Sequence, residues 1–306
     1  MKTFNRREFG QGVVGLGALT ALGGASAAAD GRKLAERQIP SSGETVPIVG
    51  LGTNRYSVEE DAASRAPLKA ALARFHELGG ALIDTAPMYG RSETVLGDLI
   101  AELDIRADLF VATKVDRNDV TEAEAQMKAS LDKLKVDYVD LMQVHNLIGW
   151  RDSLPLIRNW KAEGKARHVG ITTHRASQYA EMERIMRQHE PDFIQVNYSL
   201  EQRESAERLL PLATDLGIAV IINRAFGGGR IFNAVGNRPL PEWAAEFDCS
   251  SWAQFLLKYA LSHPAATVAI PGMSKARHVD DNLEAGHGAM PNPEQRAMQE
   301  RFFDAL

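Results

Sequence analysis

An aspartate, a tyrosine, a lysine and a histidine of this chain together suit the reduction of a carbonyl group: Asp84, Tyr89, Lys114 and His145. Hydride delivery to a carbonyl carbon leaves negative charge on the oxygen, so the site needs a proton donor there. A tyrosine hydroxyl has a pKa of about 10, and a neighbouring ammonium group strengthens it as an acid by stabilising the tyrosinate. We therefore expect Tyr89 to be the acid and Lys114 to supply the ammonium. Asp84 would keep that ammonium charged and aimed, and His145 would donate a second hydrogen bond to the carbonyl oxygen.

Each of these residues also has a purely structural explanation. Lys114 and Asp84 can be an ion pair that only holds two strands together, and His145 can be a satisfied core histidine. Tyr89 can be an ordinary loop aromatic. A lyase with Lys114 as a Schiff-base nucleophile is a third functional class, although a partner carboxylate keeps the lysine protonated and disfavours attack. The occurrence of all four residues together at strand ends favours the reductase.

These side chains can meet only if successive strands bring them to one end of a sheet. Short apolar runs alternate with longer segments of helical spacing. The predicted strands are Ile48–Leu51, Ala81–Asp84, Leu109–Lys114, Tyr138–His145, Ala166–Thr172, Phe193–Asn197, Ile218–Asn223 and Thr267–Ile270. The predicted helices are Ala62–Leu78, Glu93–Leu103, Glu122–Leu134, Ser153–Glu163, Ala176–His189, Glu204–Leu216, Ser251–Leu261 and Ala276–Glu284.

Eight strands, each followed by a helix, predict an α/β fold with a single (β/α)8 TIM barrel over residues 30–306. In such barrels the chemistry lies at the carboxyl ends of the strands. An open doubly wound sheet is the alternative, and the absence of a glycine-rich turn after the first strand disfavours it. Before the first strand, Gln38–Val46 contains a Pro-Ser-Ser-Gly turn, which predicts an N-terminal β-hairpin that caps the bottom of the barrel.

Composition excludes several classes of protein. The net charge is −5 and no block of basic residues occurs, so we expect no binding to nucleic acid. Cys249 is the single cysteine, which excludes an internal disulfide and a metal site of several thiolates. We expect no metal. Nothing in the pattern demands a partner subunit, so we expect a monomer.

The first 29 residues carry the pattern of an export signal. Arg6-Arg7 precede a weakly apolar, glycine-rich stretch that ends in Ala25-Ser26-Ala27-Ala28-Ala29, a site that a signal peptidase accepts. This order resembles a twin-arginine (Tat) signal peptide. It predicts passage through the Tat export machinery, cleavage after Ala27 or Ala29, a periplasmic location and no stable membrane insertion after cleavage. A short membrane anchor, or a tail with an accidental arginine pair, is the alternative.

Within this segment, Gly10-Gln11-Gly12-Val13-Val14-Gly15 fits the dinucleotide fingerprint G-x-G-x-x-G. That fingerprint has meaning only when a strand precedes it and a βαβ unit follows. Two arginines and a glutamate precede it here, so we discard it.

The motifs of the remaining chain resemble the aldo/keto reductase superfamily from about Gln38 to Ala285. They are Gly50-Leu51-Gly52-Thr53, Ile83-Asp84-Thr85-Ala86, Tyr89-Gly90 with Ser92-Glu93, Thr113-Lys114 and Val144-His145. The resemblance implies that the four residues above are a catalytic tetrad. It also implies NADP(H) bound across the barrel mouth without a Rossmann domain, and a small-molecule aldehyde or ketone as substrate.

The resemblance implies further binding residues. Gln195 would hold the nicotinamide carboxamide, and the end of the last strand with its helix would clamp the adenosine phosphate, as a helix N-terminus readily binds an anion. The full set of expected cofactor residues is Gly52, Thr53, Thr172, Gln195, Arg224, Phe226, Gly227, Ser274, Lys275, His278 and Asn282. The glycine run Gly227–Gly229 would let backbone approach the pyrophosphate, or is only a flexible loop. Tyr56, Met88 and Trp150 are expected to shape the substrate pocket.

Three departures from the family pattern qualify this transfer. Thr172-Thr173 stands where many members have Ser-Asn, and Asn223 where many stack an aromatic ring on the nicotinamide. Gly272 and His278 stand where many have Lys and Arg, so NAD(H) stays open beside NADP(H). Export adds a tension, because the reduced cofactor is made in the cytoplasm. A nucleotide-binding redox sensor or interaction protein with little turnover is therefore the second functional class.

Overall fold

Eight parallel strands close into a barrel in the computed structural model, which describes residues 33–306. The export signal predicted at 1–29 lies outside the described residues. The first and last barrel strands meet through bridges between Val49 and Ala269 and between Gly52 and Gly272, so the sheet has no open edge. The predicted (β/α)8 barrel is confirmed.

The strands are β1 (Glu36–Gln38), β2 (Thr45–Pro47), β3 (Leu51–Gly52), β4 (Leu82–Asp84), β5 (Phe110–Val115), β6 (Val139–Val144), β7 (Ala166–Thr172), β8 (Phe193–Asn197), β9 (Ala219–Asn223) and β10 (Val268–Ala269). Strands β7 and β8 have the predicted bounds, β5 has the predicted length, and the other five barrel strands are shorter than the predicted apolar runs. The helices follow the prediction closely. The helices are α1 (Ala62–Glu77), α2 (Ser92–Leu103), α3 (Val120–Leu134), α4 (Trp150–Ala162), α5 (Tyr179–His189), α6 (Ser205–Asp215), α7 (Arg230–Val235), α8 (Trp252–Leu261), α9 (Ala276–Leu283) and α10 (Pro293–Asp304). None of these helices is long and apolar enough to cross a bilayer.

The predicted hairpin is present and closes the bottom of the barrel. Strands β1 and β2 pair antiparallel, with Arg37 opposite Val46. Ile39 and Val46 of the hairpin are buried in one apolar cluster with residues near the amino ends of the barrel strands, such as Leu82, Phe110 and Phe193. This cluster fills the barrel interior below the strand ends, and a larger apolar layer packs the strands against the surrounding helices.

Strand register sets the polar side chains of neighbouring strands at one level. Asp84 pairs with Ala112 and Lys114 with Gln143. Thr172 pairs with Gln195 on the other side of the barrel. The closing strand needs glycine at position 52, because a Cβ there would lie 2.9 Å from the carbonyl oxygen of Ile270. The pairing therefore fixes a ring of polar residues at the carboxyl ends of the strands.

Two helices and a 3-10 turn were not predicted. Helix α7 follows the glycine run, Glu242–Phe247 forms the 3-10 turn, and α10 lies after the family motifs. Helix α10 has a start signal, since Pro293 occupies its first turn and Asn292 with Gln295 forms a capping box. Its weak apolar pattern hid it, because it buries only part of one face.

Candidate active site

The ammonium group of Lys114 lies at the centre of the polar ring. Its side chain is fully buried. Its Nζ donates to Asp84 Oδ2 at 2.6 Å, to the carbonyl oxygen of Thr85 at 2.8 Å and to the Tyr89 hydroxyl at 3.3 Å. Burial alone would lower the pKa of Lys114, but the nearby oxygens of Asp84 and Tyr89 outweigh it and hold the pKa above its usual value. The lysine is therefore a fixed cation beside the tyrosine oxygen.

Asp84 is held from two further directions. Its Oδ1 accepts from Gln195 Nε2 at 2.8 Å and from Gln143 Nε2 at 3.1 Å. Two amides and one ammonium thus satisfy a carboxylate that is only 1% exposed. The carboxylate stays aimed at Lys114 because each oxygen has its own donors.

His145 follows β6 and faces the ring of Tyr89. The two rings meet edge to face, with centroids 5.9 Å apart. Burial first, then the positive charge of Lys114 and the neighbouring His174, lowers the pKa of His145 to about 3. The imidazole is therefore neutral near pH 7. The structure thus brings all four residues of the predicted tetrad together.

Asp84, Tyr89 and His145 line a cavity of about 540 Å³ at the carboxyl ends of the strands, whereas the fully buried Lys114 does not line it. Of the predicted site residues, it is lined by Gly52, Thr53, Asp84, Met88, Tyr89, His145, Thr172, Gln195, Arg224 and Phe226. Among the described residues, no group of three or more His, Cys, Asp or Glu side chains is placed to hold a metal ion.

Two predicted pocket residues, Tyr56 and Trp150, do not line this cavity. Tyr56 is fully buried, and its hydroxyl donates to the carbonyl oxygen of Met273 at 3.2 Å, so it anchors the loop after β3. Burial raises the pKa of Tyr56. Trp150 begins α4 outside the cavity, and its indole N–H donates to Glu181 Oε1 at 2.9 Å. Only Met88, of the three predicted pocket residues, lines the cavity.

The residues expected at the adenosine end do not line this cavity. Ser274 precedes α9, Lys275 is its N-cap, and His278 and Asn282 lie within it. Gly227 is buried behind Gly228 and Gly229, which do line the mouth. A nucleotide that reached both regions would have to extend out of the cavity along the end of β10.

Several lining residues were given no role by the sequence. They are Asn54, Arg55, Asn146, His174, Ala225 and Phe232. Asn223, the glycines 228 and 229 and the segment 270–272, which the family resemblance had pointed to, also line the cavity. Phe232 belongs to the unpredicted α7, where it contacts Phe226 at a centroid distance of 5.1 Å. Arg55 lines the cavity, whereas the neighbouring Tyr56 is fully buried.

Comparison with known proteins gives one consistent result. A model of the Aldo/keto reductase family matches residues 48–300. Methylglyoxal reductase YeaE of Escherichia coli (strain K12) is 30% identical over 255 residues, which cover 81% of this chain and 88% of that protein.

Solved structures agree. An aldo/keto reductase from Klebsiella pneumoniae in complex with NADP and acetate is 26% identical, with a TM-score of 0.69 over 85% of this chain and 93% of that one. Another structure of an aldo-keto reductase from Klebsiella pneumoniae, in complex with NADPH, is 25% identical, with a TM-score of 0.71 over 88% of this chain and 96% of that one.

Proposed function

The chain belongs to the aldo/keto reductase family and is an oxidoreductase, and on this basis we propose that it reduces aldehyde or ketone carbonyls to alcohols with NADP(H). The observation that carries this proposal is the chain of hydrogen bonds from Asp84 through the buried Lys114 to Tyr89, which lines the cavity. It supplies a proton donor whose conjugate base is stabilised by a buried cation. That is the chemical requirement of carbonyl reduction.

The cavity wall fits a nicotinamide nucleotide. Asn223 Oδ1 is buried and has no hydrogen-bond partner among the described residues, so it is available to accept an N–H from a carboxamide. Gln195 Oε1 lies beside it, 3.4 Å from Asn223 Nδ2. Arg224 and the backbone of Gly228–Gly229 line the mouth, where a guanidinium and open backbone suit phosphate oxygens.

We assign the nucleotide to these residues. Asn223 and Gln195 would hold the carboxamide, Arg224 with the glycine run would face the phosphates, and the start of α9 would face the adenosine phosphate. Gly52, Thr53, Thr172 and Phe226 complete the expected contacts along the cavity wall. The bound nicotinamide supplies the hydride. NADP(H) is our preferred form, and the Klebsiella pneumoniae structures bound to NADP and NADPH support it.

The residues of the tetrad divide the remaining work. The Tyr89 hydroxyl gives its proton to the carbonyl oxygen, and the O–H bond to tyrosine breaks as the new O–H bond forms. The Lys114 ammonium, 3.3 Å from the tyrosine oxygen, stabilises the tyrosinate that remains. Asp84 keeps Lys114 in place, and His145 contacts the substrate beside Tyr89. Met88 lines the cavity and is 54% exposed.

The test is a fluorescence titration of the purified protein with NADPH and NADH, followed by consumption of the nucleotide with a panel of aldehydes. We expect tighter binding of NADPH and turnover that the Tyr89→Phe substitution abolishes. Tyr138→Phe is the matched control, because Tyr138 is an exposed tyrosine remote from the cavity lining. Tight binding without turnover would support the redox sensor instead. Failure to bind either nucleotide would refute both functions.

We further propose that residues 1–29 direct export to the periplasm by the twin-arginine route, and that the mature protein is a monomer. The order of arginine pair, apolar stretch and small-residue site supports export. Because that route carries folded proteins, the nucleotide would be bound before export. The test is cell fractionation of the full chain and of its Arg6→Lys/Arg7→Lys variant in a bacterial host. Equal amounts of both in the periplasm would contradict the proposal.

A further inference from the structure

Asp84, Gln143 and Gln195 form a closed triangle of hydrogen bonds inside the barrel. Gln195 Nε2 donates to Asp84 Oδ1 at 2.8 Å, and Gln143 Nε2 donates to the same oxygen at 3.1 Å. Gln195 Nε2 also donates to Gln143 Oε1, at the longer distance of 3.4 Å. Gln143 is fully buried and does not line the cavity, so it acts only through its two neighbours. The triangle connects the Lys114–Asp84 ion pair with the wall of the cavity.

The fold leaves room for this triangle at one glycine. Gln143 lies on β6, opposite Gly170 of β7 in the strand register. A Cβ at position 170 would lie 2.8 Å from the Cγ of Gln143, so any other residue there would displace the glutamine side chain. The glycine therefore provides the space in which the Gln143 amide reaches Asp84 and Gln195.

The charge of Asp84 sets the direction of the hydrogen bonds in the triangle. A carboxylate has no hydrogen to donate, so both amides must turn their NH2 groups towards it. If the Gln195 amide were reversed, its Oε1 would face Asp84 Oδ1 and Gln143 Oε1, and three acceptors would meet without a hydrogen. Gln195 Oε1 is therefore directed away from Asp84. It lies beside Asn223, which lines the cavity and donates to it from Nδ2 at 3.4 Å.

Two acceptor oxygens thus lie where the nicotinamide is assigned, Gln195 Oε1 and Asn223 Oδ1, of which the second is buried without a partner among the described residues. An acceptor oxygen binds the NH2 group of a carboxamide and not its oxygen. We propose that Asp84 and Gln143 fix the direction of the Gln195 amide as positioning residues, so that the site selects nicotinamide nucleotides by the NH2 group of the carboxamide. The inference rests on the proposed function for the place of the nicotinamide ring. Asp84 then holds two groups at once, Lys114 through Oδ2 and Gln195 through Oδ1.

The test compares two oxidised nucleotides that differ in one group. NADP⁺ carries a carboxamide, and its 3-acetylpyridine analogue has a methyl group in place of the NH2 group. Isothermal titration calorimetry of the full chain measures the dissociation constant of each nucleotide. In the unaltered chain we expect the analogue to bind about tenfold more weakly, the effect of one hydrogen bond. Equal binding of the two nucleotides would overturn the proposal.

Asp84→Asn should reverse the triangle. The Lys114 ammonium holds the oxygen of the introduced amide, so the NH2 group of that amide turns towards Gln143 and Gln195. Both glutamines then present their oxygens to it, and an N–H of Gln195 faces the cavity. An acetyl oxygen and a carboxamide oxygen both accept this N–H. We therefore expect the preference for NADP⁺ to disappear, and an unchanged preference would refute the role of Asp84.

Two further variants distinguish this effect from general damage to the site. Lys114→Met leaves the Asp84 carboxylate in place, so it should keep the preference for NADP⁺ although turnover is lost. In Lys114→Met/Asp84→Asn no ammonium holds the amide oxygen, which is free to turn back towards the two glutamines. The double variant should therefore regain the preference that Asp84→Asn loses. Loss of the preference in Lys114→Met would show that any disruption of the ion pair removes it, and would overturn the proposal.

Gln143→Leu tests the third member of the triangle. The carboxylate still directs Gln195, but the second N–H of Gln195 loses its acceptor, so we expect the preference for NADP⁺ to fall about threefold. Gln299→Leu is the matched control, because Gln299 is also fully buried and donates one hydrogen bond, to the Phe255 carbonyl oxygen, away from the cavity lining. Equal preferences in these two variants would refute the role of Gln143.

The outcomes separate this inference from the proposed function. Failure to bind either nucleotide would refute both. Binding with the expected preference, but without reduction of any carbonyl compound, would refute the reductase and leave the recognition of the carboxamide in place. Reduction of carbonyl compounds without a preference between the two nucleotides would refute the inference alone. If Asp84→Asn does not fold, the unaltered chain, Gln143→Leu and Gln299→Leu decide.

Discussion

Lys114 is a charge that the fold maintains in its interior. Removing an ammonium group from water costs several kcal/mol, and only close partners offset this cost. Asp84, the Thr85 carbonyl and Tyr89 supply those partners, at 2.6 to 3.3 Å. A structural ion pair would need only the carboxylate. The third contact, to a tyrosine that lines a cavity, connects the buried charge with chemistry.

Two variants distinguish the contribution of the Lys114–Asp84 pair to stability from its contribution to turnover. Lys114→Met leaves the Asp84 carboxylate buried without its cation, so we expect a loss of about 3–5 kcal/mol in the free energy of unfolding. Lys114→Met/Asp84→Asn removes the orphaned charge and should regain much of this loss. Both should lose at least about 100-fold in turnover. Urea unfolding and steady-state rates measure the two effects, and recovery of turnover in the double variant would contradict the assigned role of Lys114.

Cys249 should be chemically inert in the folded protein. Burial raises the pKa of its thiol to about 12, so almost no thiolate exists at pH 8. We expect slow reaction with Ellman's reagent in buffer and rapid reaction of one thiol in urea. Rapid labelling of the folded chain would show that the thiol is more accessible than its burial indicates.

At the residue scale, the sequence predicts the site residues that can be recognised by their type at the end of a predicted strand. Asp84, Lys114 and His145 were found in this way. The sequence does not show which way a side chain points. Tyr56 points into the core, where its hydroxyl donates to the carbonyl oxygen of Met273 across the barrel closure.

At the scale of elements, hydrogen bonds from one buried lysine connect the segments that follow β9 and β10. Lys258 on α8 donates to the carbonyl oxygens of Phe247, His287 and Ala289, at 2.7 to 2.9 Å. Its side chain is fully buried. One ammonium thus joins the 3-10 turn before α8 with the loop before α10.

Replacing this lysine should loosen both segments. Lys258→Met leaves three carbonyl oxygens without their charged donor, and we expect a loss of about 3 kcal/mol in the free energy of unfolding. Lys128→Met, at an exposed position on α3, is the control and should change it by less than about 0.5 kcal/mol. Equal unfolding midpoints for the two variants would contradict this role.

Helix α10, which the sequence did not predict, buries few apolar side chains. Phe302 contacts Trp243 and Trp252, and polar contacts join Arg203 with Asp304 and the Tyr259 hydroxyl with Glu300 Oε1 at 2.6 Å. Apolar periodicity is weak in a helix that is held in part by polar contacts. The barrel helices were found because each lays an apolar face on the sheet.

At the scale of the whole molecule, buried neutral histidines make stability depend on pH. Burial lowers the pKa of His145 to about 3 and that of His263 to about 4, below the value of about 6.5 in an unfolded chain. Between these values the unfolded chain binds more protons than the folded one. The stability they contribute is therefore complete above pH 6.5 and is lost progressively as pH falls towards 4.

Urea unfolding between pH 7.5 and 4.5 measures this dependence. We expect the midpoint to fall with pH, and His263→Gln to fall less steeply than the unaltered chain. His76→Gln is the control variant, because His76 is a more exposed histidine on α1. A slope that His263→Gln leaves unchanged would show that other groups control acid unfolding.

The hairpin that seals the bottom of the barrel has a kinetic consequence. Ile39 and Val46 close one end, so within the described part of the chain the cavity opens to solvent at the strand ends that carry Arg224 and Met88. On the proposed function, nucleotide and carbonyl compound enter by this same opening, and the nicotinamide would lie at its inner end beside Asn223 and Gln195. We therefore expect the reduced nucleotide to bind first and the oxidised nucleotide to leave last, after the alcohol. Steady-state inhibition by the oxidised nucleotide should accordingly be competitive with the reduced nucleotide and not with the carbonyl compound.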